Sequence, residues 1–164
     1  MPLPICYLNE QYLPLQEARI SPLDRGFLFA DSVYEVIPAF GGKPFRSAGH
    51  FDRLARSLGE IRLASPYTPQ QWHALLEELI RRNGGGDMYV YLQVTRGMEF
   101  GRNHAFPAPG TKPTVFAMAS ELPVPAPQLQ STGSSAITVE DFRWSRCDIK
   151  ATTLLANVLM KQRA

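Results

Sequence analysis

The chain has 164 residues, 45% of them hydrophobic and 20% charged, with a formal net charge of +2. That composition fits one folded domain with a good core plus part of a second, and it argues against disorder. So small a charge, with no basic run, gives nucleic acid or an acidic membrane little to hold, and no apolar run approaches the ~18 residues of a membrane span.

In chain order, Ile5 to Leu8, the Asn9-Glu10 turn and Gln11 to Leu15 read as a β-hairpin. Ser21 to Gly26 is a loop. Val33 to Phe40 is a strand rich in β-branched and aromatic residues, turned by Gly41-Gly42 into Lys43 to Arg46. Ser47 is placed to cap a helix whose apolar positions Phe51, Leu54, Leu58 and Ile61 follow helical spacing. Thr68-Pro69 is a good helix start. That second helix carries Trp72, Leu75, Leu76, Leu79 and Ile80, and Gly84-Gly85-Gly86 stops it.

Strands Met88 to Thr95 and Pro113 to Ser120 follow, separated by a glycine- and proline-rich loop. The predicted fold is α+β: an antiparallel sheet with helices on one side, over residues 1–121. Proline-rich residues 122–133 read as a stiff extended linker. Residues 134–164 then read as the start of a second, incomplete domain. It has a strand at Ala136 to Glu140, a short Phe142-Arg143-Trp144 segment, and a helix from about Thr152 to the end. That helix's apolar face (Leu154, Leu155, Val158, Leu159) has too little around it to be buried, so it is expected to be covered by something else.

Cys6 and Cys147 lack metal-ligand spacing, so no metal site is expected. With no leader at Met1-Pro2-Leu3-Pro4, a reducing cytoplasm is the expected compartment.

Four places could carry chemistry. Lys150 lies in an apolar stretch just before a helix start, where desolvation can free an amine to attack a carbonyl. Taken alone, such a lysine is more often a solvated surface residue. Arg102 and His104 sit in the loop between two strands, where a forked guanidinium and an imidazole could hold a carboxylate, or where the loop could simply be mobile. Arg53, on the first helix, could reach a phosphate or merely snorkel to the surface. Tyr34 alternates with Val33 and Glu35 on a strand, a position at which most tyrosines only pack.

Together these residues make a pattern. Asp31-Ser32-Val33-Tyr34-Glu35-Val36-Ile37 is followed by His50-Phe51-Asp52-Arg53-Leu54, then by Val94-Thr95-Arg96-Gly97 with Arg102-Asn103-His104. Last comes Cys147-Asp148-Ile149-Lys150 with Leu154-Leu155-Ala156-Asn157. The series resembles the class IV (fold-type IV) pyridoxal-phosphate aminotransferases, which include branched-chain and D-amino-acid aminotransferases and aminodeoxychorismate lyase. The Arg-x-His of the loop is most similar to the D-amino-acid enzymes.

The resemblance implies that Lys150 holds pyridoxal 5'-phosphate and moves a proton, and that Arg53 binds the cofactor phosphate. Tyr34, Arg102 and His104 would bind the substrate carboxylate, the last two reaching over from the partner of a homodimer. The reaction implied is amino transfer between a D-amino acid and a 2-oxo acid. Alternatives are branched-chain or aminodeoxychorismate chemistry within the family, or a non-catalytic dimerising domain.

The family's carboxylate that pairs with the pyridinium nitrogen and its main phosphate loops come later than Lys150. This sequence runs only fourteen residues past that lysine. The resemblance therefore covers the N-terminal half, and the 164 residues alone are expected to be inactive.

Overall fold

The computed structural model describes residues 1–163, apart from the side chain of Gln130. Its centre is a six-stranded antiparallel sheet with strand order β2-β1-β6-β5-β3-β4. The strands are β1 (Pro2–Leu8), β2 (Gln11–Pro14), β3 (Ser32–Phe40), β4 (Lys43–Pro44), β5 (Met88–Thr95) and β6 (Thr114–Glu121). β5 pairs over its full length on both sides, with Ser32 opposite Thr95 and Ala39 opposite Met88 on β3, and Thr114 opposite Thr95 and Glu121 opposite Met88 on β6.

Alternation along the strands sends Val33, Ile37, Val90, Val94, Val115 and Ala117 to one face, where they join the buried core. Two fourteen-residue helices cover that face, α2 (Ser47–Glu60) and α3 (Pro69–Arg82). They contribute Phe51, Leu54 and Leu58 from α2, and Trp72, Leu75, Leu76, Leu79 and Ile80 from α3. This is the predicted antiparallel sheet with helices on one side.

Local chemistry explains the helix ends. Thr68 Oγ1 accepts from Gln71 N while Gln71 Oε1 accepts from Thr68 N, so the start of α3 is a reciprocal capping box with Pro69 in its first turn. At the other end, Asn83 exchanges bonds with both backbone groups of Ile5, at 3.0 Å each, and pins α3 to β1. Because Leu79 is fully buried between the helix and the sheet, Leu79→Ala is expected to cost about 2–5 kcal/mol, read as a lowered urea midpoint at unchanged slope.

Several sequence expectations need correction. Ser47 does not cap α2; the cap position is Arg46, in a left-handed conformation with no side-chain cap bond. A five-residue helix, α1 (Arg25–Phe29), occupies the end of the predicted loop, and Asp24 caps it by accepting from Gly26 N. The predicted extended linker contains α4 (Pro127–Thr132).

Residues 136–140 form no strand, and Ile137 and Val139 are exposed. β-branched residues favour extended backbone, but a strand exists only where an edge satisfies its amides, and none is offered there. The last helix, α5 (Leu155–Lys161), starts three residues later than predicted, because Thr152 is held by the sheet. Ala164, the predicted end of that helix, lies outside the described residues. Leu154, Leu155, Val158 and Leu159 are exposed, as expected for a face without a cover.

Among the described residues, Ile149 is the one residue after the linker that joins the buried core. Both cysteines are free. Among the described residues, no helix is long and apolar enough to cross a membrane.

Candidate functional site

The short β4 pairs only with Ala39 and Phe40, so the Ser32–Tyr34 end of that β3 edge is open to another partner. The chain returns there from far downstream. Tyr34 N donates to Lys150 O at 3.0 Å, Thr152 N donates to Ser32 O at 3.3 Å, and Val33 and Ala151 form an antiparallel bridge.

The register makes Tyr34 and Lys150 cross-strand neighbours, and likewise Ser32 and Thr152, whose hydroxyls lie 2.6 Å apart. Ile149, next in line, points the other way into the core. The position of Lys150 is therefore fixed by backbone pairing on one side and by a buried neighbour on the other. Its Nζ lies 3.9 Å from the centroid of the Tyr34 ring, a cation–π contact.

Tyr34 is itself held. Its ring stacks on Tyr91 at 5.5 Å. Burial, with Tyr34 alongside, pushes the Tyr91 phenol up to about 12. Tyr91 therefore stays protonated and donates to Gln93 Oε1 at 2.9 Å, and Gln93 in turn donates to Ser32 Oγ at 3.1 Å.

Glu35 follows Tyr34 and so faces the helices, where its carboxylate is completely buried. It accepts from Arg53 Nε and Nη2 at 2.6 Å each, and His50 Nδ1 lies 2.8 Å from it. The hydrogen bond to Glu35 raises the pKa of Arg53, keeping it a fixed cation. The fork fastens two of the arginine's three nitrogens while its side chain remains 42% exposed.

A cavity of about 420 Å³ opens at this place, lined by Tyr34, Arg53, Arg56, Arg143, Asp148 and Lys150 among others. Three arginines line it, two of them paired with acids (Arg53 with Glu35, Arg143 with Asp141), and such a set suits a phosphate, while the primary amine of Lys150 suits an aldehyde. The volume falls within the range of ordinary small-ligand sites. The donor set thus fits pyridoxal phosphate: Lys150 would hold its aldehyde carbon, and Arg53, with its neighbouring arginines, its phosphate.

Arg102 and His104 lie elsewhere. Both are exposed on the loop between β5 and β6, whose base is closed tightly at Gly97. There φ is +90°, and an added Cβ would stand 2.0 Å from Lys112 O, so only glycine fits. The Arg102 guanidinium carbon is 5.0 Å from the centre of the Phe29 ring, and the His104 ring is 5.1 Å from it. Neither lines the cavity beside Lys150. The structure brings together Tyr34, Arg53 and Lys150, and it does not bring Arg102 and His104 to them.

The amino-transferase class IV family model matches residues 32–164, most of the chain. The chain belongs to that family. Among curated relatives, it is 42% identical to the D-alanine aminotransferase of Staphylococcus haemolyticus, with 96% of this chain and 55% of that protein covered. It is also 42% identical to the D-alanine aminotransferase of Listeria innocua, covering 96% and 54%.

Among solved structures, a T.th. branched-chain amino acid aminotransferase complexed with N-(5'-phosphopyridoxyl)-L-glutamate has a TM-score of 0.65 at 26% identity. There 73% of this chain and 41% of the other are covered. The Escherichia coli branched-chain enzyme, at 19% identity and a TM-score of 0.67 over the same shares, shows the fold alone. The chain spans about half the length of the curated relatives it matches.

In the sequence of this class IV chain, Glu35 and His50 fall within the pattern without a task of their own. A lone acid in a strand that is otherwise buried needs a cation, and that is the available signal. Arg56 and Arg143 carry no signal, because nothing local says that two surface arginines face one cavity.

Proposed function

We propose that the full-length protein transfers an amino group between a D-amino acid, such as D-alanine, and a 2-oxo acid, using pyridoxal phosphate held on Lys150. The observation that carries this reading is the pinned Lys150–Tyr34 pair at the wall of a cation-lined cavity, in a chain 42% identical to D-alanine aminotransferases. Residues 1–121 are read as the first domain of that protein. The stretch from 134 onward is read as the beginning of its cofactor domain, with the linker between them.

The bound cofactor supplies an electron sink for the substrate α-carbon. The chain's own residues do the rest. Lys150, held against the β3 edge, would take the proton from the substrate α-carbon and deliver it to the cofactor's carbon on the far side of the amino nitrogen, a 1,3-shift that needs one amine reachable from both carbons. Arg53, fixed on Glu35, supplies constant positive charge to the phosphate. Tyr34 walls the side of the site next to the lysine.

Arg102 and His104 are the donors suited to the α-carboxylate, and because they stand apart from Lys150 in one chain, we assign them to the site of the partner in a homodimer. Two free cysteines fit a reducing, cytoplasmic setting.

The competing reading within the family, branched-chain amino acids, is favoured by the 26% identical T.th. structure. The reading as a whole is tested by borohydride reduction of the full-length protein with pyridoxal phosphate, followed by peptide mapping. The label is expected on Lys150. Label on Lys43, Lys112 or Lys161 instead would remove the assignment.

A further inference from the structure

The loop bearing Arg102 and His104 is exposed along most of its length, yet two buried arginines reach it: Arg96 lies 4.1 Å from the centre of the Phe106 ring, and Arg25 binds the backbone at Asn103 and His104 themselves. Arg25, in the first turn of α1, is only 4% exposed. Its Nε donates to Asp31 Oδ2 at 2.9 Å. Its two remaining nitrogens turn outward to the loop, Nη1 to Asn103 O at 2.7 Å and Nη2 to His104 O at 3.5 Å.

Asp31 has a second, fuller partner. Arg96 Nε and Nη2 grip both of its oxygens, at 2.8 and 3.0 Å, and Arg96 Nη2 also donates to Ile61 O at 2.6 Å. Burial works to raise the Asp31 pKa, but the hydrogen bonds from Arg96 and Arg25 prevail and hold it below the usual carboxylate range.

This division of labour is informative. Arg96 alone gives Asp31 a forked, charge-balanced pair, which is what burial of the carboxylate requires. The Arg25 side chain adds one bond to that pair, and its own fork is committed to the carbonyls of Asn103 and His104. A second grip comes from Phe29, one turn further along α1. Its ring meets the guanidinium carbons of Arg25 at 4.9 Å and Arg102 at 5.0 Å, and the ring of His104 at 5.1 Å. Helix α1 therefore holds the loop by its backbone through Arg25 and by its side chains through Phe29.

We propose that Arg25 is a positioning residue for substrate carboxylate binding: by clamping the backbone at Asn103 and His104, it aims Arg102 and His104, with Phe29 as the surface they lie on. The proposal rests on the reading of Arg102 and His104 given above. Arginine is needed because one planar group must reach the Asp31 carboxylate and two carbonyls at once. Lysine can keep the ion pair but cannot make the fork.

The test uses the full-length protein with pyridoxal phosphate, as Arg25→Lys, Phe29→Leu and, for reference, Arg102→Ala. For each, KM and kcat are measured with D-alanine and with 2-oxoglutarate, and amide hydrogen exchange is followed over residues 98–106, β3 and β5. Arg25→Lys is expected to raise both KM values on the order of tenfold with kcat changed far less. Exchange over 98–106 should quicken while β3 and β5 keep their protection. Phe29→Leu should move KM in the same direction.

Unchanged KM and loop exchange in Arg25→Lys, alongside a raised KM in Arg102→Ala, would overturn the positioning role alone. Faster exchange throughout β3 and β5 would also overturn it, since Arg25 would then be holding the sheet. Unchanged kinetics in Arg102→Ala would instead remove the carboxylate reading on which the proposal stands.

Discussion

Lys150→Ala in the full-length protein is expected to lower kcat/KM by roughly 10²–10⁴-fold, the usual worth of a positioned acid–base group, with no loss of fold. The two halves of that expectation come from different parts of the structure. The segment is held by backbone bonds from Tyr34 and Thr152 and by burial of Ile149, none of which uses the lysine side chain. The side-chain amine lies against the face of Tyr34 and takes no part in the backbone pairing, so removing it leaves the pairing and the core intact. What disappears is the primary amine placed at the cavity wall, and with it the group that can both hold an aldehyde and carry a proton between the two carbons that flank the amino nitrogen. A urea midpoint within error of wild type, together with the loss of activity, is the expected pair of results. Partial recovery with added methylamine would show that the missing function is the amine itself. Activity close to wild type would remove Lys150 from the reaction.

The second large effect separates two groups of cations. Arg102→Ala and His104→Ala are each expected to reduce kcat/KM for D-alanine roughly tenfold to a hundredfold, with pyridoxal phosphate affinity little changed. Arg53→Ala should do the reverse, loosening the cofactor while leaving the order of preference among amino acids as it was. The α-carboxylate is the one anionic handle common to all such substrates, so its partners determine both affinity and the aim of the α-hydrogen. Arg53 is fastened to a buried carboxylate on the helix side of the sheet and lines the cavity beside Lys150. Arg102 lies out on a loop against Phe29. Paired titrations of each variant, one with cofactor and one with D-alanine, separate the roles. Unchanged D-alanine kinetics in Arg102→Ala would return the substrate assignment to branched-chain amino acids.

Much of this architecture is legible in the sequence, for identifiable reasons. Strands β3, β5 and β6 alternate between a buried face and a half-buried one, and α2 and α3 repeat their apolar residues at helical spacing, so local pattern and tertiary burial agree. Where they disagree, the sequence misleads. Ala136 to Glu140 has strand composition but no edge to join. Helix α1 is five residues long, too short for periodicity to show, and exists because Asp24 caps it and its first side chain is tied to Asp31.

The site divides in the same way. Lys150 stands out through the resemblance of its whole segment, since one lysine before a helix says little. The Glu35 clamp on Arg53 spans eighteen positions, and the tie from Arg25 to Asn103 spans seventy-eight, and contacts of that range leave no periodic trace.

The pairing of residues 150–152 with β3 also has an evolutionary consequence. Side chains along a paired strand change face at every residue, so the segment cannot drift by small amounts relative to its partner. Deleting one residue among 134–140, an exposed stretch without helix or strand, only shortens the connection ahead of the cavity lining, which the chain absorbs. Deleting one residue inside Ile149–Thr152 either turns the lysine toward the helices or puts a different side chain opposite Tyr34. Tolerance to insertion and deletion should therefore fall from permissive before residue 141 to nil at Ile149, because the lysine can occupy only discrete stations along that edge and one of them faces the cavity.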